Sequence, residues 1–122
     1  MSQIGIIGYG VVGKAIAEGF KTSGHEILFH DKFKNSDTLE KVVNESEFIF
    51  ICVPTPTKPD YDGIDLTIVN DVVDQVTKLV ESFQNGGQKI VVIKSTVIPG
   101  TTAVLSAKYP EIKFAVNPEF LT

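Results

Sequence analysis

The sequence predicts an α/β domain built on a doubly wound parallel sheet of about five strands. Two observations predict it. Short apolar runs alternate along the chain with stretches that carry apolar residues at helical spacing. A glycine-rich turn, Gly8-Tyr9-Gly10-Val11-Val12-Gly13, closes the first apolar run and opens the first helical stretch, as in a Rossmann-type sheet. Because right-handed crossovers leave few topologies, we expect the strand order 3-2-1-4-5.

The strands are predicted from short apolar segments that end in turn residues. The third segment, EFIFICV, is apolar on both faces, as central strands of a parallel sheet are. In chain order, the predicted strands are residues 3–8, 26–30, 47–53, 88–94 and 113–116.

Helices are predicted between the strands from apolar residues at helical spacing and from capping residues. Gly24 is the expected stop after the first helix, and Ser36 and Asp37 are the expected caps of the second. Asp65 is the expected cap of the long third helix, which ends at the glycine pair near residue 86. The four predicted helices are residues 11–23, 38–43, 66–83 and 101–108.

Composition and charge argue against several classes of protein. The 122 residues suffice for one domain with one core. A net charge of −4 argues against nucleic acid or an anionic membrane as the main partner, because both require a basic surface. All eleven cationic residues are Lys, so bound phosphate must rely on backbone amides or Lys. One cysteine, no leader peptide and no membrane-spanning run favour the cytoplasm.

The glycine-rich turn fits the fingerprint of a dinucleotide-binding site. Gly8 is expected to permit the tight turn, Gly10 to let the backbone approach a pyrophosphate, and Gly13 to let the helix pack closely on the strand. The amides of Val11 and Val12 at the helix start are expected to bind the anion, assisted by the helix dipole.

A carboxylate at the end of the second strand supports this interpretation and indicates the cofactor NAD. Asp31 lies about twenty residues beyond the glycines, where a carboxylate binds the adenosine ribose hydroxyls and repels the 2′-phosphate of NADP. Lys32 and Lys34 could offset that repulsion. The neighbouring His30 is expected to be a partly exposed residue at a strand end, and Cys52 an inert, buried one.

Three further loops follow the third, fourth and fifth strands and therefore lie at the edge where open α/β sheets bind ligands. Each carries small hydroxyl or carboxylate groups on a backbone stiffened by proline. They are the segments VPTP, KSTVIPGTT and NPEFL. Together, the three loops suggest a site for the nicotinamide end of the cofactor and for a substrate, and Val53 and Pro54 of the first loop are candidate cofactor contacts.

The strings VPTPTKPDYDGIDLTIV, IKSTVIPGTT and NPEFL together resemble the N-terminal domain of the UDP-glucose/GDP-mannose dehydrogenase family, in order and over the whole chain. That family oxidises the C6 alcohol of a nucleotide sugar, or its equivalent, to a carboxylate with two NAD in succession. The resemblance implies that Thr55 and Thr96 approach the nicotinamide half of NAD. It implies that Glu119 is the catalytic glutamate, and that Phe120 and Leu121 begin the segment that wraps the nucleotide-sugar substrate.

The resemblance also implies that essential parts lie outside these residues. The family's nucleophilic cysteine, together with a lysine and an asparagine, belongs to a later helical domain through which its homodimers form, and Cys52 matches no catalytic position. We therefore expect residues 1–122 to be the NAD-binding domain of a longer enzyme of polysaccharide biosynthesis, inactive alone. One departure is the pair Val11-Val12, where the family usually has Tyr-Val; backbone binding of phosphate should tolerate it.

Three alternatives stay open from the sequence. The first is a standalone module that binds NAD(H) without catalysis. The second is a β-hydroxyacid dehydrogenase domain of the 3-hydroxyisobutyrate type, which shares the glycine loop and a Ser/Thr loop after the fourth strand but lacks VPTP and NPEFL. The third is an α/β domain whose site is vestigial and binds no dinucleotide.

Overall fold

A computed structural model of the chain describes residues 3–54, 67–82, 89–94, 101–110 and 112–116. Strands and helices alternate, and every strand pair is parallel, which confirms the predicted fold class. The strands are β1 Gln3–Ile7, β2 Glu26–His30, β3 Phe48–Ile51, β4 Ile90–Ile93 and β5 Lys113–Val116. The helices are α1 Val11–Thr22, α2 Leu39–Glu45, α3 Thr67–Ser82 and α4 Thr101–Lys108.

The strand order is β2-β1-β3-β4-β5, which agrees with the predicted 3-2-1-4-5 in outline and differs in the position of the third strand. β3 pairs with β1 on one side, through Ile4 and Phe48, and with β4 on the other, through Phe48 and Ile90. The reason is burial: an edge position would leave one side of the doubly apolar sequence FIFI unpaired and poorly covered. The same apolar pattern that identified the strand therefore also requires its central position.

The two faces of the sheet are covered unequally. Ile4 and Ile6 of β1 pack on Ala17 of α1, on the face that α1 covers. Ile7 faces the opposite side and belongs to the larger core cluster, together with residues of α2 and α3. The larger cluster is Ile7, Val42, Val43, Ile49, Ile51, Val69, Val73, Val76, Val80, Val91, Ile93 and Ile112. The fold is thus doubly wound, with α1 on one face and α2 and α3 on the other.

The cap of α2 differs from the prediction. Thr38, not Ser36 or Asp37, is the N-cap residue, and its hydroxyl accepts a hydrogen bond from the Lys41 backbone N–H at 3.2 Å. The Ser36 hydroxyl instead accepts from the Asp31 backbone N–H at 3.0 Å. Ser36 is therefore unavailable to the helix because it closes the turn that follows β2. The predicted cap Asp65 lies outside the described residues.

Candidate functional site

The candidate site lies where the loops after β1 and β3 meet at the carboxyl edge of the sheet. In the order 2-1-3-4-5, the connections from these two strands lead to opposite faces, which opens a ligand-binding crevice at that point. The loops are in direct contact: a Cβ atom on Gly8 would lie 2.9 Å from the Cys52 carbonyl and 3.0 Å from the Val53 nitrogen. Gly8 also has φ +93°, which only glycine adopts without strain.

Gly13 and Gly10 of the same turn serve different needs. A Cβ on Gly13 would collide with the carbonyl oxygen of Gly8, so this glycine is required for α1 to pack against the end of β1. Gly10 has φ −88°, a value open to any residue, and a Cβ there would meet no atom of the described residues within 4 Å. The fold of the described residues gives no reason for glycine at position 10, and the space beside it suits a bound ligand.

The start of α1 is built like an anion-binding site. Its N-cap residue is Gly10, no side chain caps it, and its first turn carries no acidic residue. The first intrahelical hydrogen bond runs from the Lys14 N–H to the Gly10 carbonyl at 2.9 Å, so the amides of Val11, Val12 and Gly13 have no acceptor within the helix. Val11 is 81% exposed, which leaves this helix end open to solvent and to an anion.

Asp31 is joined directly to the glycine-rich turn. Its Oδ2 accepts a hydrogen bond from the Tyr9 backbone N–H at 2.8 Å, and its Oδ1 accepts from the Phe33 N–H at 2.9 Å. The Gly8 N–H, in turn, donates to the His30 carbonyl at 2.9 Å. Each carboxylate oxygen retains a lone pair for a further donor, such as a ribose hydroxyl. These bonds bring the carboxylate and the helix start into one site.

Asp31 is held in its ionised form. Partial burial alone would raise the pKa of its carboxyl. The backbone N–H groups of Phe33 and Tyr9, and then the electrostatic interactions with Lys34 and His30, outweigh this effect and lower the pKa below its ordinary value of 3.8. The site therefore presents a fixed negative charge at neutral pH.

The two other residues noted in the sequence have structural contacts. His30 is half-buried, and its Nδ1 donates to the Asp37 backbone carbonyl at 2.8 Å. Cys52 was expected to be buried in the third strand but is half-buried. The reason is that β3 ends at Ile51, so Cys52 lies in the following loop, beside Gly8. Its side chain packs against the cluster beneath α1.

The remaining predicted site residues fall into two groups. Val53 is half-buried, with its backbone nitrogen beside Gly8, and Pro54 follows it and is exposed. The others lie outside the described residues: Thr55, Thr96, Glu119, Phe120 and Leu121. The ends of the strands that precede their loops are in register, since Ile51 pairs with Ile93 and Ile93 with Val116.

The support that Tyr9 and Ser36 give to the site was not predicted from the sequence. The Tyr9 ring stacks on Phe29 with centroids 3.9 Å apart, and Lys34 Nζ lies 5.9 Å from the Tyr9 ring centre. One signal was available in the sequence. An aspartate after a strand often forms an Asx turn, in which its carboxylate accepts a hydrogen bond from the backbone N–H two residues later. The hydrogen bond from the Phe33 N–H to Asp31 has that form.

Comparison with known proteins identifies the family. Residues 29–122 match the UDP-glucose/GDP-mannose dehydrogenase family, NAD binding domain. The chain belongs to this family. Membership agrees with the resemblance in the loop strings, and it makes this chain an NAD-binding domain of an oxidoreductase family.

Individual relatives are similar over most of the chain. GDP-mannose 6-dehydrogenase of Pseudomonas aeruginosa is 26% identical over 98% of this chain and 36% of its own length. UDP-glucose 6-dehydrogenase of Caenorhabditis elegans is 34% identical over 79% of this chain and 22% of its own length. The solved structure of a UDP-glucose dehydrogenase from Pyrobaculum islandicum superposes with a TM-score of 0.79 and 28% identity, covering all of this chain and 37% of that one.

The chain thus spans roughly a third of the length of the first of these relatives. Within the described residues, no helix combines the length and the apolar character needed to cross a membrane.

The features described above fit NAD: an uncapped helix start with space beside Gly10, and an ionised carboxylate one hydrogen bond away from the glycine-rich turn.

Proposed function

We propose that this chain is the N-terminal NAD-binding domain of a nucleotide-sugar dehydrogenase that oxidises a sugar alcohol to a carboxylate, as UDP-glucose is oxidised to UDP-glucuronate. Family membership supports the reaction class. The observation that carries the cofactor assignment is the hydrogen bond from Tyr9 to Asp31, which joins a ribose-binding carboxylate to an open helix start. NAD needs both features at this spacing, because its adenosine ribose is attached to its pyrophosphate.

Each cofactor contact has a proposed role. The amides of Val11 and Val12 bind the pyrophosphate, with Gly10 leaving room for it. Asp31 accepts hydrogen bonds from the adenosine ribose hydroxyls. Val53 and Pro54 follow β3, on the side of β1 opposite to β2 and Asp31, and would face the nicotinamide half. Thr55 and Thr96 would complete that half, as the resemblance implies.

The catalytic roles rest on the resemblance. Glu119 would orient or deprotonate a water molecule during the acyl-enzyme stage, and Phe120 and Leu121 would begin the substrate-binding segment. The nucleophilic cysteine would be supplied by a later domain, so that residues 1–122 alone bind NAD without turnover. The complete enzyme would be a cytoplasmic homodimer that makes precursors for polysaccharides.

The cofactor assignment is tested by titrating the chain with NAD and NADP in a calorimeter. We expect NAD to bind at one site and NADP to bind more weakly, because the Asp31 carboxylate repels the 2′-phosphate. The Asp31→Ala variant should bind NAD roughly 30-fold more weakly, as expected for loss of hydrogen bonds to a charged group, and should discriminate less against NADP. Asp37→Ala is the matched control, since Asp37 pairs with Lys41 at 3.6 Å instead.

Unchanged NAD affinity in Asp31→Ala would remove Asp31 from the site, and failure of the unaltered chain to bind either dinucleotide would favour a vestigial site.

The dehydrogenase assignment is tested by sequencing the coding region beyond the codon of Thr122. An open frame that encodes a helical domain with a cysteine supports it, and the Glu119→Gln variant of that longer protein should then accumulate acyl-enzyme. A stop codon would favour the standalone module.

A further inference from the structure

An exposed phenylalanine lies beside the proposed ribose site. Phe33 is 83% exposed, and with Val11 and Val104 it is one of the three large apolar side chains most open to solvent in the described part of the chain. Leaving a phenylalanine in water forgoes the favourable free energy of burying its ring. A ring at this position therefore offers unused apolar surface to a ligand.

The position of Phe33 is fixed by the turn that holds Asp31. The Phe33 N–H donates to Asp31 Oδ1 at 2.9 Å, and the Lys34 N–H donates to the Asp31 carbonyl at 3.0 Å. The Ser36 hydroxyl closes the other end of the turn by accepting from the Asp31 N–H at 3.0 Å. The backbone that carries the ring is thus anchored at three points to the residue that would bind the ribose.

The chemistry of NAD then decides which part of the cofactor reaches Phe33. The adenine base is attached to C1′ of the ribose, the carbon next to the one whose hydroxyl Asp31 would bind. The nicotinamide half would lie beyond the pyrophosphate, towards Val53 and Pro54, which follow β3 on the side of β1 opposite to β2 and Asp31. Of the two rings, only adenine can lie against the turn at residues 31–36.

We propose that the Phe33 side chain is the stacking platform for the adenine ring of NAD. This inference rests on the proposed function, since it takes the ribose to be bound by Asp31. A phenyl ring and a purine stack through their faces, and such stacking is indifferent to the pattern of polar groups on the base edge. Phe33 contributes affinity for the adenosine half, while Asp31 contributes the discrimination between NAD and NADP.

The neighbouring lysine agrees with this role. Lys32 Nζ lies 5.0 Å from the centre of the Phe33 ring, a cation–π contact that helps to orient the ring. The ammonium covers one face of the ring, and a base bound on the opposite face would complete a sandwich. Lys32→Ala should therefore lower NAD affinity less than Phe33→Ala does.

The test compares ligands with and without the amino group of adenine. Phe33→Ala should bind NAD, ADP-ribose and nicotinamide hypoxanthine dinucleotide each about tenfold more weakly than the unaltered chain, the usual effect of removing one base-stacking ring. Phe33→Tyr should retain most of the affinity. Val104→Ala is the matched control, because it removes another exposed apolar side chain on α4 and should leave NAD affinity unchanged.

A second measurement observes the stacking directly. The chain contains no tryptophan, so a Phe33→Trp variant has a single indole. Stacking of adenine on this indole should quench its fluorescence when NAD or ADP-ribose is added. NAD affinity unchanged in Phe33→Ala, or emission unaltered at saturating NAD in Phe33→Trp, would overturn the proposal. Failure of the unaltered chain to bind NAD would overturn both the proposed function and this inference. NAD binding by the unaltered chain that does not respond to the Phe33 substitutions would overturn this inference alone.

Discussion

A helix end at the amino edge of the sheet and a helix start at the carboxyl edge differ in how their polar groups are satisfied. At the amino edge, Lys89 is 4% exposed, and its ammonium donates to the Asn44 carbonyl at 2.9 Å and to the Ser46 carbonyl at 2.8 Å. The end of α2 is thereby satisfied from within the chain. At the carboxyl edge, the start of α1 has no side-chain cap, and Val11 and Phe33 are exposed.

The difference separates a helix end whose polar groups are paired within the fold from a helix start that is open to solvent. A buried ammonium without acceptors would be strongly unfavourable, so Lys89 must find its partners inside the fold. The start of α1 is open to solvent at Val11, so water can reach this helix end, and its amides remain available to a phosphate. One local exception at the amino edge is the Ser46 hydroxyl, which is buried without a hydrogen-bond partner among the described residues.

The largest expected effect comes from Gly13→Ala. The added Cβ would collide with the Gly8 carbonyl oxygen, so α1 must shift and the free energy of unfolding should fall by about 3 kcal/mol. Gly19→Ala on the same helix is the matched control, because no described atom lies within 4 Å of its Cβ, and it should stabilise the helix by up to about 1 kcal/mol. Urea denaturation measures both. Equal stability of the two variants would contradict the packing role of Gly13.

Lys89→Met tests the amino edge. The variant keeps the apolar stem but leaves the carbonyls of Asn44 and Ser46 without their charged donor, so the free energy of unfolding should fall by about 2 kcal/mol. NAD affinity, measured by calorimetry at a temperature where the variant is folded, should not change. A loss of NAD affinity without a loss of stability would contradict the purely structural role of Lys89.

Gly10→Ala tests the carboxyl edge. Its φ of −88° suits alanine, and the described residues leave room for the Cβ, so stability should stay within about 0.5 kcal/mol of the parent value. NAD affinity should fall roughly tenfold, because the methyl group occupies the approach of the pyrophosphate and about one hydrogen bond is lost. If NAD binds equally well to the variant, the pyrophosphate does not lie against Gly10.

The smallest expected effect is that of pH between 7 and 5. The pKa of Asp31 in the folded chain is lowered below its ordinary value of 3.8, so the carboxylate stays ionised throughout this range and NAD affinity should be constant. The stabilisation that the ionised group provides is present above the ordinary value and is lost only as pH falls through the lowered pKa. Titrations at pH 7, 6 and 5 check this. A steady decline over that range would show that Asp31 is not held ionised.

Much of this outcome was predictable from local patterns. The alternation of apolar runs and helical spacing specified the elements, and the context of the three glycines specified the turn, with Gly8 at positive φ and Gly13 in close contact as expected. The strand order was less accessible, since pairing depends on contacts between segments far apart in the chain. The cap of α2 was misjudged because Ser36 has a competing partner in Asp31, which no local pattern shows.

By itself, the sequence determined the α/β class, the position of the glycine-rich turn and the likeness to a dehydrogenase family, because these depend on residue type and on spacing along the chain. Only the tertiary structure decided that β3 lies beside β1, that Tyr9 binds Asp31, and that Phe33 is left open to solvent. These features arise from contacts across the sheet. Parallel pairing brings the ends of distant strands to one edge, and the burial of each face decides which strands become neighbours.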